Sequence, residues 1–178
     1  MKQLTFVIFA AAMLVFASCT KYKDTPGDPN NPLLNRPYCN DPEGVNYNWD
    51  FPGKPDNTTC LYPTDVFRGE YVYTDSIYDG SQKFLRSEVR DISMTASSKT
   101  KLIIAGLCAS SSLTFTASRR LRADADTISF AYGQPFCRAQ DTLSGAINRP
   151  NLSGPVSFNL IVGTDTGTFY HRGAAVRK

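Results

Sequence analysis

Residues 64–178 of this 178-residue chain predict an all-β fold: an antiparallel up-and-down meander of about eight strands closed into a barrel, with a β-sandwich as the alternative. Three observations carry the prediction. Apolar residues recur with a period of two in several separate segments, the pattern of strands with one face buried and one wet. Turn-forming clusters separate those segments at short intervals, as sequential hairpins require. Beyond residue 18, no ten-residue stretch shows the apolar period of an amphipathic helix. Short sequential hairpins favour a meander, and eight strands suffice to close a small barrel.

The elements begin with residues 1–18. Lys2 gives a basic start, and residues 4–16 are apolar except for Thr5. As a helix at ~1.5 Å per residue, this run reaches about 20 Å, short of the ~30 Å hydrocarbon core of a bilayer. A basic start, a short apolar run and the small residues Ala17 and Ser18 describe a secretory signal peptide. The segment Phe16-Ala17-Ser18-Cys19 resembles the lipobox of bacterial lipoproteins. That resemblance implies cleavage before Cys19, palmitate-type acylation of the mature cysteine and anchorage in an outer membrane. Setting Cys19 aside leaves Cys39, Cys60, Cys108 and Cys137, an even set that can pair fully in an oxidising compartment. Two or more acyl chains anchor a protein stably, whereas one, at ~0.8 kcal/mol per buried methylene, does so marginally.

Residues 19–37 read as a tether. Pro26, Pro29, Pro32 and Pro37 punctuate a polar stretch that buries too little apolar surface to offset the entropy of ordering it. Held extended at ~3.1 Å per residue, it spans about 50 Å. Residues 38–63 form a cysteine-framed unit: Cys39-Asn40-Asp41-Pro42, then Asn46-Tyr47, then Asn57-Thr58-Thr59-Cys60. This unit resembles a short motif of surface and secreted proteins from Bacteroidota-type bacteria, and the resemblance implies a Cys39–Cys60 disulfide. Closing a loop of that size contributes about 3 kcal/mol in the chain-entropy model. Its many Asp and Asn side chains lack the spacing of a calcium loop and read as turn formers, so no metal is expected. Trp49 and Phe51 read as loop packing, with a carbohydrate or protein contact as the alternative.

The strands follow in order. Phe67, Gly69, Tyr71 and Tyr73 share one face of the first, and Ile92, Met94 and Ala96 one face of the next clear segment. Leu113, Phe115 and Ala117 follow, then Ile128, Phe130 and Tyr132, then Val156, Phe158, Leu160 and Val162. Weaker candidates are residues 83–89, 101–107, 143–148 and 168–176, with turns at 79–81, 97–99, 124–126 and 164–167. The opening Phe-x-Gly-x-Tyr strand and the closing Gly167-Thr168-Phe169-Tyr170-His171-Arg172-Gly173-Ala174 resemble small lipocalin-like domains in lipoproteins of the same bacteria. That resemblance implies a barrel whose mouth takes a small ligand. Phe67, Tyr71, Tyr73, Phe115, Phe130, Tyr132 and Phe158 are the candidate ligand-lining residues, with the alternative that they fill the barrel. A Cys108–Cys137 bridge would staple two loops, and other pairings are open from sequence.

Function narrows by exclusion. The formal charge of +3, or +2 after loss of residues 1–18, is near neutral and argues against a nucleic-acid partner. The basic spot Arg119-Arg120-Leu121-Arg122 has no interleaved aromatics for stacking bases and reads as a solvated turn or strand end. His171 is the only histidine and reads as a core or rim residue; the chain has no Gly-x-Ser-x-Gly elbow and no Gly-rich loop leading into a helix. Acidic residues fall mainly in turns, away from strand positions facing a pocket. The expected role is therefore non-enzymatic binding of a small apolar ligand or a glycan, with no cofactor. Docking to an outer-membrane protein is the alternative, and hydrolysis a weaker third. The same bacterial resemblance implies O-glycosylation at Asp-Ser/Thr-apolar tripeptides, which places candidates at Ser76, Thr127 and Thr142.

Overall fold

The computed structural model describes residues 31–108, 112–127, 129–130 and 133–178; the expected signal peptide, Cys19 and the first part of the expected tether lie outside them. The chain enters through a 3-10 turn, Pro32–Asn35, capped by the Asn31 side chain. Strand β1 (Pro37–Tyr38) then pairs in parallel with β2 (Lys54–Pro55), and the Cys39–Cys60 disulfide closes the loop that contains β2. Asn46 braces this loop from inside, donating to the Thr59 carbonyl at 2.8 Å and accepting from the Leu61 amide at 2.8 Å. Asp41 and Asp56 serve as turn acceptors, each taking the amide two residues on. Trp49 and Phe51 are not packed as expected: they are 64% and 67% exposed, with Phe51 touching Tyr38 edge to face.

Beyond the loop, the strands are β3 (Gly69–Tyr78), β4 (Phe84–Ala96), β5 (Lys101–Ala105), β6 (Leu113–Ser118), β7 (Arg122–Ala125), β8 (Gln134–Phe136), β9 (Arg138–Asn148), β10 (Val156–Thr164) and β11 (Gly167–Arg177). All except β8 form one closed antiparallel ring of eight, joined in up-and-down order and sealed where β11 pairs with β3. Strand β8 lies on the same edge of β9 as β7, further along it. The buried side chain of Gln134 in β8 bridges to β6, donating to the Thr114 carbonyl at 2.8 Å and accepting from its amide at 2.9 Å. One side-chain amide thus supplies both halves of a ladder step.

Inward positions decide what the barrel holds. Tyr71, Tyr73, Ile92, Met94, Phe115, Leu143, Ile147, Phe158 and Leu160 are buried and form one continuous core. Tyr73 and Phe158 lie with ring centroids 4.4 Å apart. Phe67, fully buried just ahead of β3, closes one end together with Val66 and Val45 from the disulfide loop. The buried Arg149 guanidinium donates to the Val66 and Gly154 carbonyls at that end. Lys99, in the β4–β5 turn, holds the loop to the barrel by pairing with Asp41 at 2.6 Å and Glu43 at 3.1 Å.

Three expectations need correction. Residues 126–133 hold no strand among the described positions; Asp126 accepts from the Ser129 amide and hydroxyl, a turn interaction, and Phe130 is 39% exposed. Tyr132 and Ile128 lie outside the described residues. The expected turn at 124–126 overlaps β7 instead, because Ala125 is the small inward residue opposite the bulky Phe115 in the ladder. Finally, residues 83–89 and 91–96 belong to one thirteen-residue strand, β4. A run of charges at Arg86, Glu88 and Arg90 hides its alternation, since the inward positions there are not apolar.

Candidate functional site at the barrel mouth

The loops β3–β4, β5–β6, β7–β8 and β10–β11 gather at the end of the barrel opposite the Phe67 plug. There the inward face changes character. Along β3, Tyr71 and Tyr73 give way to Asp75 and then Ile77, all pointing inward and all buried. Asp75 accepts from the Tyr73 hydroxyl at 2.9 Å and lies 2.7 Å from His171 Nδ1 on the adjacent strand β11. With the Asp75 carboxyl as acceptor, Nδ1 carries the hydrogen and Nε2 is left for other partners. Burial, and then the neighbouring Asp75, push the Tyr73 hydroxyl well above its usual value, so it stays a donor.

Glycine at 173 makes this layer possible. It pairs with Asp75 across the β11–β3 ladder, and a Cβ there would lie 2.1 Å from the Thr74 carbonyl and 2.7 Å from the Tyr73 ring. Strand β4 adds Glu88 between two arginines. Arg86 Nε donates to one Glu88 oxygen at 2.6 Å, and Arg90 Nε to the other at 3.1 Å, while Arg90 also reaches the Leu107 carbonyl. Hydrogen bonds from Arg90 and Arg86 hold the Glu88 carboxyl down at about 2.

Above this layer opens a pocket of about 500 Å³. Ile77, Phe136, Val162 and Phe169 give it apolar wall; Arg86, Arg90, Arg138, Asp141 and Asp165 give it charge, and His171 a polar ring edge. The Cys108–Cys137 disulfide ties the β5–β6 loop to the β8–β9 junction, so Phe136, Cys137 and Arg138 are fixed at the rim. Phe136 meets His171 edge to face, centroids 5.9 Å apart. On β9, Asp141 is buried, and its Oδ1 has no hydrogen-bond partner among the described residues. Arg138, exposed at the start of the same strand, makes no ion pair with any described residue.

The candidate residues named from sequence divide sharply. Phe67, Tyr71, Tyr73, Phe115 and Phe158 fill the barrel and do not line the pocket, because a ring this small has room for little beyond its own side chains. Phe130 stands exposed in the β7–β8 loop. Cys39, Cys60, Cys108 and Cys137 form two disulfides, whereas Cys19 lies outside the described residues. Ser76 and Thr142 lie within ladders and are half-buried, while Thr127 is exposed in a loop. The aspartates preceding them, Asp75, Asp126 and Asp141, are all buried. Sequence reasoning missed Asp75, Glu88, Arg90 and Asp141, and it placed the acids in turns; three of those four are carboxyls on inward strand positions, two of them two residues from Tyr73 and Leu143. The signal was present, since Asp75 has the parity of Tyr71 and Tyr73, and Asp141 that of Leu143.

No family model matches the chain, and no curated protein matches it. Among solved structures, a redesigned β-barrel is similar, at 9% identity and a TM-score of 0.42, over 66% of this chain and 96% of that one.

Proposed function

We propose that this protein is a lipoprotein held at an outer membrane through Cys19, with a non-enzymatic barrel that binds a small ligand or glycan at its mouth. The observation that carries the reading is the contrast between a filled interior and a pocket of about 500 Å³ ringed by charged groups. Pockets of roughly 300–1,000 Å³ with apolar walls and a few convergent polar groups are what small ligands occupy. The filled interior favours a ligand seated in the mouth over an apolar one threaded into the barrel. Binding is favoured over hydrolysis because the pocket hydroxyls are committed elsewhere: Thr164 lies 3.0 Å from Thr166 and donates to the Gly167 carbonyl at 2.9 Å, and neither bonds to His171. Among the described residues no nucleophile is bonded to the Asp75–His171 pair, which there lacks the first member of an acyl-transfer site. Near-neutral charge favours no nucleic-acid partner. The anchor rests on the lipobox-like segment and the proline-rich tether. Of the three candidate O-glycosylation positions, Thr127 has the exposure a glycosyltransferase needs.

A second reading, docking to an outer-membrane protein, is favoured by the outer wall. There Val72 and Val176 face each other across the β3–β11 ladder at 37% and 61% exposure, with Val89 on β4 at 68%. Native mass spectrometry of the protein taken from its own membrane separates the readings. The first expects acyl mass on Cys19 and a small adduct; a stoichiometric protein partner without an adduct supports the second.

A further inference from the structure

The pocket's chemistry narrows the ligand, on the reading that the mouth is a binding site. We propose that the mouth accepts a neutral, polyhydroxylated ring: a single sugar or the terminal sugar of a glycan. Asp141 and Arg138 carry the argument. Asp141 Oδ1 is a buried acceptor with nothing to accept from among the described residues, and its residue lines the pocket. A buried acceptor left without a donor costs free energy that a bound donor returns.

The class of donor follows from counting hydrogens. An ammonium brings three N–H groups and a charge to one orphan oxygen beside apolar wall, so it would strand donors and lose hydration. It would also approach Arg86, Arg90 and Arg138. A hydroxyl brings one O–H and no charge, and one acceptor satisfies it. Arg138, three residues away on β9, is the complementary group: a donor fork with no ion-pair partner among the described residues. A ligand engaging both must donate at one edge and accept at another, which adjacent hydroxyls of one ring do. Phe136 and Phe169 supply the apolar surface for the C–H face of such a ring. An anion is disfavoured because Arg86 and Arg90 are already paired with Glu88, and Asp141 and Asp165 line the same pocket.

The test is saturation-transfer NMR on the full-length protein in a detergent without sugar headgroups. The probes are glucose, galactose, mannose, fucose and N-acetylglucosamine, with leucine as a zwitterion and octanoate as an apolar anion. At least one sugar is expected to receive saturation, to bind about tenfold more weakly to Asp141→Ala and measurably more weakly to Arg138→Ala, and to be unaffected by Lys101→Ala. An unchanged circular dichroism spectrum certifies that each variant is folded. Saturation of leucine or octanoate alone, lost in Asp141→Ala, overturns the sugar but keeps the mouth as a binding site. A sugar signal indifferent to Asp141→Ala overturns the assignment of the site, and silence from every probe overturns the proposal and the mouth-binding reading together.

Discussion

Asp141 and Asp75 make a matched pair: two buried aspartates near the same barrel mouth, one with an orphan oxygen and one fully partnered. Removing each carboxyl should therefore move stability in opposite directions. An unsatisfied buried polar group costs about 1–3 kcal/mol. Asp141→Ala deletes that cost at a residue that lines the pocket. A gain of about 1–2 kcal/mol is expected, or roughly 3–6 °C in Tm at about 3 °C per kcal/mol for a chain of this size. Asp75→Ala instead strands the Tyr73 hydroxyl and the His171 Nδ1, and a loss of about 3–5 kcal/mol is expected. Urea unfolding followed by far-ultraviolet circular dichroism, with unchanged slopes, gives both numbers. A fall in stability for Asp141→Ala would refute the reasoning, since it would mean that Oδ1 is satisfied in solution and has no need of a ligand.

The other predictions probe separate parts of the molecule. The Glu88 carboxyl, held down to about 2 by Arg90 and Arg86, contributes stability that is fully present above its unfolded value near 4.5 and is lost as pH falls toward 2. For a partly exposed group this amounts to about 1 kcal/mol, and Glu88→Gln should flatten the acid limb of the stability–pH curve; an unchanged limb counts against it. Replacing Cys108 and Cys137 by alanine opens a loop of 29 residues' separation and should cost about 3.5 kcal/mol in the chain-entropy model, with ligand affinity falling as the Phe136–Arg138 rim loosens. Lys99→Met should raise hydrogen exchange at the amides of residues 41–46 while β9 and β10 stay protected; equal exchange would show that Lys99 does not hold the loop. Cys19→Ser should release the protein from membranes in a high-salt wash, and retention would remove the lipid anchor.

How much of this was legible in the sequence depended on which layer of the barrel a residue occupies. In the middle and plugged layers the inward residues are apolar, so Tyr71, Met94, Phe115 and Leu160 announced their strands by period alone. At the mouth the inward residues are Asp75, Glu88, Arg90 and Asp141, and a period-two test that counts apolar residues is blind to them. The N-terminal half of β4 was undervalued for that reason. The reverse error fell on the segment around Phe130, which stands exposed outside any ladder beyond the Asp126 turn. What sequence could not supply was the pairing of strands, and hence that His171 would meet Asp75 across 96 positions.

Those misses share a cause that bears on function. A small barrel gains its stability by filling its inward positions with apolar side chains, and every polar inward residue forgoes part of that gain. Here the substitutions are confined to one end. At the Phe67 end the inward groups are apolar and the buried Arg149 is spent on backbone carbonyls; at the other, three carboxyls, a histidine and two arginines replace them. Most of that set pays for itself: Tyr73, Asp75 and His171 satisfy one another, as do Arg86, Glu88 and Arg90. Asp141 does not. A residue that neither packs as an apolar group nor finds a partner for its Oδ1 among the described residues gains nothing from an inward position of β9, and the proposed ligand would supply what is missing. The same exception that made the segment hard to read is thus the strongest pointer to a ligand, and the stability of Asp141→Ala is where that logic meets a measurement.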